Sequence, residues 1–201
     1  MVLTSILRMR QICCDARMAV EKPMEWKRPS AKLELFEELL DSSLDGGHRM
    51  LVFSQFVGML SILRDRLEER SIDYCYLDGS TRQRGKVVER FEQSSIPVFL
   101  ISLKAGGTGL NLTGADTVLH FDPWWNPAVE SQATARAHRI GQKKVVNNYK
   151  LIARQTIEEN ILKMQSKKQQ QLDAMLESGG HELGKSLAWD EIAALLDGDL
   201  K

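Results

Sequence analysis

This 201-residue sequence is poor in the residues that staple small folds or bind metals. Its three cysteines, Cys13, Cys14 and Cys75, are an odd number without metal-ligand spacing, and its four histidines, His48, His120, His138 and His181, are scattered. Neither a disulfide framework nor a metal site is therefore expected. Long apolar runs are lacking too. None approaches the roughly 20 residues that cross a bilayer, and Arg8, Arg10 and Asp15 interrupt the N-terminal stretch that a signal peptide would need. A cytosolic type of chain with no membrane partner is the expectation. Internal repeats are missing, and one short tract, Lys167 to Gln171, is compositionally biased. Net charge is absent as well, since 27 Lys plus Arg offset 27 Asp plus Glu.

What is present suffices for a core: 43% apolar and 27% charged residues exclude a disordered chain and a coiled coil. The charge is unevenly placed. Residues 1–32 carry 7 basic and 3 acidic side chains and residues 130–170 carry 9 and 3, whereas residues 33–78 carry 4 and 10 and residues 171–201 carry 2 and 7. The two basic blocks are either solvated helix faces or an anion-binding face.

Short β-type runs alternate with amphipathic ones through the middle of the chain. Met50 to Phe53, Tyr74 to Leu77, Val98 to Ile101, Thr117 to Phe121 and Val145 to Tyr149 read as strands. Between them, Leu60, Leu63 and Leu67 recur at helical spacing, Val87, Val88 and Phe91 form a second helix with Thr81 as its N-cap, and Ala128 to His138 a third. Five strands separated by helices predict an α/β fold with a mostly parallel sheet covered on both faces. The flanks read as helical. Ile6, Met9 and Ile12 mark one helix, Glu21 to Pro29 a loop, and Leu33, Phe36, Leu39 and Leu40 a second helix. Behind the sheet, Thr156 and Glu159 make a capping box ahead of a stripe of Ile157, Ile161, Met164, Leu172 and Met175.

Residues 179–186, Gly-Gly-His-Glu-Leu-Gly-Lys-Ser, match the phosphate-loop pattern G-x-x-x-x-G-K-[ST] letter by letter. That mechanism needs a buried strand feeding the loop, so that amides and a helix N-terminus converge on the phosphates. The preceding residues 169–177 are polar and helix-patterned, and only 15 residues follow Ser186, too few for a strand bringing a magnesium-binding Asp. The match is read as a helix-to-helix linker, followed by a short amphipathic segment from Leu187 to Leu196.

In a parallel sheet the loops after the strands share one edge, where ligands bind. Here they are Ser54-Gln55, Asp78-Gly79-Ser80-Thr81, Ser102 to Asn111, and Asp122-Pro123-Trp124-Trp125-Asn126-Pro127, rich in small hydroxyls, glycines and amides. Gly106, Gly107 and Gly109 permit close backbone approach, so the third loop can offer N–H groups to phosphate oxygens, with Lys104 adding charge and Ser102 and Thr108 hydroxyls. The alternative is a glycine turn required only by topology. Farther on, Arg136 and Arg139 stand three apart on the expected third helix with Gln132 one turn earlier. Two guanidiniums on one rigid element can clamp a transferring phosphoryl group, or they are ordinary surface arginines. His138 between them suits packing or a hydrogen bond better than catalysis.

In order along the chain, Met50-Leu-Val-Phe-Ser-Gln-Phe56, Leu77-Asp-Gly-Ser-Thr81, the Ser102 to Asn111 loop, Asp122 to Pro127 and Gln132 to Gln142 resemble the Swi/Snf-type DNA-dependent ATPases of helicase superfamily two. The likeness is to the C-terminal, second RecA-like lobe and runs from about Leu3 to Leu172. It implies a helical lead-in at residues 1–29, a lobe at 30–155, a brace helix at 156–178 and a linker with tail at 179–201. It further implies an ATP site in a cleft shared with an N-terminal RecA-like lobe. That lobe brings the phosphate-binding Lys and the Mg²⁺ ligands. Arg136 and Arg139 then serve as catalytic arginines, with Gln132, Gly107, Gly109 and Asn111 at the nucleotide. Ser54, Gln55, Lys104 and Thr108 face the backbone of double-stranded DNA, and Asp122, Trp125 and Asn126 brace the neighbouring loop, Trp125 being equally readable as a core anchor. The position before Arg136, an Asp in the family pattern, is Ala135. No first lobe is present, so a piece of a longer protein, inactive and monomeric when isolated, is expected. The parent would be nucleoid-associated in a bacterium or nuclear in a eukaryote. Two rival readings stand beside this one: a non-enzymatic DNA-binding or interaction module that keeps the fold, and an unrelated α/β transferase using the glycine loop for a small phosphorylated ligand.

Overall fold

The computed structural model describes residues 2–20, 29–105, 110–139, 142 and 144–177, the last seven of these by backbone alone. The residues 179–186 that mimic a phosphate loop lie outside the described residues, as do the tail segment and Gly106, Gly107, Thr108 and Gly109.

Five strands form one all-parallel sheet: β1 (Met50–Ser54), β2 (Tyr74–Leu77), β3 (Val98–Ser102), β4 (Thr117–His120) and β5 (Asn147–Lys150). The spatial order is β2-β3-β1-β4-β5, with Met50 opposite both Val98 and Thr117. Alternate side chains of the central strands enter different cores. Met50, Val52, Val98, Leu100 and Leu119 pack against α2 (Ala31–Asp45) and α3 (Val57–Glu69). Leu51, Phe53, Phe99, Ile101 and Val118 pack against α4 (Arg84–Gln93) and α5 (Pro127–Thr134). Burial on both faces is why residues 50–53 of β1 and 98–101 of β3 read as unbroken apolar runs rather than alternating ones.

The edge strand β5 departs from that pattern. Its pairing with β4 begins at Asn147 opposite Thr117, so Val145, expected to open the strand, lies outside the ladder and is 84% exposed. The helical flanks close one side of the molecule. α1 (Val2–Cys14) packs Ile6 against Ile157 of α6 (Ile157–Glu177), with Met9, Cys13 and Trp125 around them.

Two expected caps are built differently. Thr81 does not cap α4, which starts at Arg84 after a Gln83 that makes no side-chain cap. The Thr81 hydroxyl instead accepts the Asp78 amide at 3.0 Å, because the carboxylate of Asp78 gathers Ser80 and Thr81 into a turn. At α6 the Thr156 hydroxyl accepts the Glu158 amide at 3.2 Å, and Glu158, not Glu159, reaches back to the amide of Ala153 at 2.8 Å. Glu158 wins this place because it also faces the buried ammonium of Lys32, whose Nζ lies 2.6 Å from its Oε2.

Candidate functional site at the carboxyl edge of the sheet

The sheet ladder continues past the strand ends and ties three loops together. Leu103 donates its amide to Ser54 O, Phe121 to Phe53 O and Leu151 to His120 O, each at 2.9 Å. The residues after β1, β3 and β4 are therefore neighbours, as the parallel topology requires. Among the expected site residues, this edge brings together Ser54, Gln55 and Asp122.

Ser54 is fully buried, which corrects its expected exposure to a phosphate backbone. Its hydroxyl donates to Asp122 Oδ1 and accepts the amide of Phe56 at 3.1 Å, so its one proton is committed and none is left for a phosphate oxygen. The Gln55 amide also approaches the Asp122 carboxylate, at 3.3 Å. Burial pushes the Asp122 carboxyl upward, while the Ser54 hydroxyl and the guanidinium of Arg10, whose Nη2 is 3.8 Å away, oppose that push. Asp122 is thus a brace between the loops after β1 and β4. Asn126 is the N-cap of α5: its Oδ1 accepts the Ala128 amide at 3.0 Å, ahead of Pro127 in the first turn. Trp125 is half-buried against Ile6, Ile157, Ile161 and Met164, with the Arg10 guanidinium 4.5 Å from its ring centroid.

Lys104 and Asn111, on either side of the glycines, are exposed. The flanks of that loop are pinned from elsewhere. Arg84 of α4 donates to Ala105 O at 3.4 Å, and the Glu92 carboxylate accepts the Gly114 amide at 3.1 Å. Leu112 donates its amide to Arg136 O at 3.1 Å, and the Gln142 side chain donates to the carbonyls of Ala115 and Thr113 at 2.7 and 3.1 Å. The segment carrying the two arginines is therefore hydrogen-bonded to residues 112, 113 and 115, which follow the glycines in the chain.

The helix expected to run to His138 stops at Thr134, so Arg136 and Arg139 leave α5 in the turns beyond its end, and Gln132 alone stays on it, exposed. Arg136 is 4% exposed, its guanidinium 5.9 Å from the ring centroid of Phe53 near the end of β1. Burial, and then the charge of Arg139, lower its affinity for a proton. Arg139 is exposed. The pair is close enough to interact yet split in environment: one cation is built into the lobe and the other is presented to solvent.

Phe53 also stacks on His120, ring centroids 5.6 Å apart, and the His120 Nε2 lies 3.1 Å from the hydroxyl of Thr134 at the end of α5. Burial pulls this imidazole down to about 4. An unfolded chain, titrating near 6.5, binds the extra proton between those values. His120 therefore leaves stability intact above about pH 6.5 and withdraws up to about 3 kcal/mol as pH falls toward 4. Urea unfolding at pH 7.5 and 4.5 should show a smaller acid loss for His120→Phe than for the parent chain. Equal losses would remove His120 from this role.

Sequence reasoning missed Arg10, Lys32, Glu158 and Gln142. Arg10 stands four residues from Ile6 and from Cys14, and Lys32 four residues before Phe36, each inside a buried helical stripe. A charge on an apolar stripe was the available signal. Among the described residues no group of three or more His, Cys, Asp or Glu can hold a metal ion, and no helix is long and apolar enough to cross a membrane.

The helicase conserved C-terminal domain family matches residues 31–141. A Mycoplasma pneumoniae protein described as an uncharacterized ATP-dependent helicase is 41% identical over 175 residues, which are 84% of this chain and 16% of its own length. The solved structure of the C-terminal part of the Fun30 ATPase domain superposes with a TM-score of 0.68 at 33% identity, covering 84% of this chain and 52% of that one. This chain is a helicase C-terminal lobe of the Swi/Snf type. Its RecA-like sheet agrees with a second solved structure, the Sulfolobus solfataricus SWI2/SNF2 ATPase core in complex with dsDNA, at a TM-score of 0.67 and 31% identity over 89% of this chain and 38% of that one. The chromatin-remodeling ATPase INO80 of Emericella nidulans is 44% identical over 154 residues, 75% of this chain and 10% of that protein. The chain thus spans a small fraction of the curated relatives it matches.

Proposed function

We propose that this Swi/Snf-type lobe is the second half of an ATP-dependent double-stranded DNA translocase, supplying arginines to a nucleotide held between it and an N-terminal RecA-like lobe. The observation that carries the reading is the split between Arg136, anchored under Phe53, and Arg139, exposed three residues later on a segment hydrogen-bonded to the residues that follow the glycines. An anchored cation beside a free one suits a clamp that meets γ-phosphate oxygens when the lobes close. Gln132, Gly107, Gly109 and Asn111 belong on the nucleotide side of this lobe. Lys104, Gln55 and Thr108 belong on the DNA-backbone side, and Ser54 acts through Asp122. ATP use by a Mycoplasma relative described as ATP-dependent, and DNA in the SWI2/SNF2 complex, support the same assignment. In a eukaryote such a motor works in the nucleus, and in a bacterium at the nucleoid.

The carboxylates at this edge do not fit a Mg²⁺ ion. Asp78, Asp122 and Glu158 are buried and committed, the first to Ser80 and Tyr76 and the other two to Ser54, Arg10, Lys32 and the amide of Ala153. The metal that accompanies ATP is therefore assigned to the other lobe, and no step of this lobe's chemistry passes through it. The isolated chain should hydrolyse ATP at no more than background rate, with or without duplex DNA, in a phosphate-release assay. Robust turnover abolished by Lys185→Ala would instead place a nucleotide site in residues 179–186.

A further inference from the structure

We propose that Arg10 is a positioning residue through which the lead-in helix α1 holds the DNA-side edge of this lobe in its working arrangement. The inference rests on the motor reading above and goes beyond it, because α1 lies outside the sheet and outside every site residue expected from the sequence.

Arg10 is 2% exposed and projects from α1 between two loops that follow adjacent strands. Its Nη1 donates to Gln55 Oε1 at 2.9 Å, just after β1. Its Nη2 donates to Pro123 O and lies 3.8 Å from the Asp122 carboxylate, just after β4. The guanidinium carbon lies over two rings, 4.5 Å from the Trp125 centroid and 5.6 Å from that of Phe56. One side chain therefore engages five residues of two loops, and only a planar fork with several donors can do so at once. A lysine would keep the charge opposite Asp122 but reach one acceptor.

The junction is also incompletely satisfied. Arg10 Nε and Gln55 Nε2 are both buried without a hydrogen-bond partner among the described residues. Buried donors without acceptors are costly, so a pair of them at one junction calls for an explanation. Gln55 thus carries a committed oxygen and an uncommitted amide at the same place. A shift of α1 would move Arg10, and with it Gln55 and Trp125 together, so the helix acts as a lever on both loops.

The test uses the full-length protein and compares ATP turnover without DNA, turnover with saturating duplex DNA, the DNA concentration giving half stimulation, and KM for ATP. In Arg10→Lys, DNA stimulation should fall about tenfold to a hundredfold, while DNA-free turnover and KM for ATP stay within about twofold of the parent protein. Proportional loss in both conditions marks a merely structural arginine, and unchanged stimulation marks a dispensable one; either overturns the proposal. If the parent protein itself shows no DNA stimulation, the motor reading fails, and this inference fails with it. Should Arg10→Lys not fold, Phe56→Leu decides. It removes one ring from the guanidinium while keeping an apolar side chain, and it should lower stimulation severalfold with DNA-free turnover intact. A stimulation ratio equal to the parent's overturns the assignment.

Discussion

Arg139→Ala in the full-length protein is expected to lower DNA-stimulated ATP turnover by about 10³ to 10⁵, the range measured for arginine fingers, with nucleotide affinity nearly unchanged. The contrast with Arg136 makes this the decisive substitution. Arg136 is 4% exposed and its guanidinium sits against Phe53 between the sheet and α5, so removing it disturbs the core as well as the site. Arg139 is exposed beyond the end of α5, so its loss leaves the fold as it is. A cation that meets the phosphoryl group chiefly as charge develops in the transition state changes kcat far more than binding. Steady-state turnover with duplex DNA, together with equilibrium binding of a fluorescent nucleotide, separates the two quantities. Weakened binding at an unchanged maximal rate would make Arg139 an ordinary ground-state contact.

The centre of the sheet was legible because residues 50–53 and 98–101 are short apolar runs between helical spacings, and parallel burial on both faces removes any need for alternation there. The end of α5 was not. Thr134, Ala135, Arg136 and Ala137 offer no local stop signal, and what ends the helix is tertiary: Arg136 gives its carbonyl to the amide of Leu112 and its side chain to Phe53. Ser54 misled for a related reason. A small hydroxyl after a strand reads as a ligand contact, yet its partner is Asp122, 68 residues away, and no local pattern reports that pairing. The buried charges escaped because Arg10, Lys32 and Glu158 find their partners on other elements, where sequence separation hides them. Motif spacing pointed to the carboxyl edge of the sheet; which of its residues face one another is decided by packing.

The second large effect concerns one of those hidden charges. Lys32 of α2 and Glu158 of α6 are buried, with Nζ 2.6 and 2.7 Å from the two carboxylate oxygens and 3.0 Å from the carbonyl of Phe121. Glu158 also accepts the amide of Ala153. In Glu158→Gln the charge on Lys32 loses its counterion. In addition, the new amide nitrogen must face either the ammonium or the Ala153 N–H, and both are donors. Breaking a buried pair from one side costs about 3 to 5 kcal/mol, which for a domain of this size lowers the melting midpoint by roughly 10 °C. The double variant Lys32→Met/Glu158→Leu removes both charges and restores part of the loss. It does not restore all of it, because the Ala153 amide and the Phe121 carbonyl lose these partners, at about 1 kcal/mol each. Thermal melts of the three proteins should therefore rank the unmodified chain first, the double variant second and Glu158→Gln last. A single variant that melts with the unmodified chain would mean that α2 and α6 are held by their apolar faces alone.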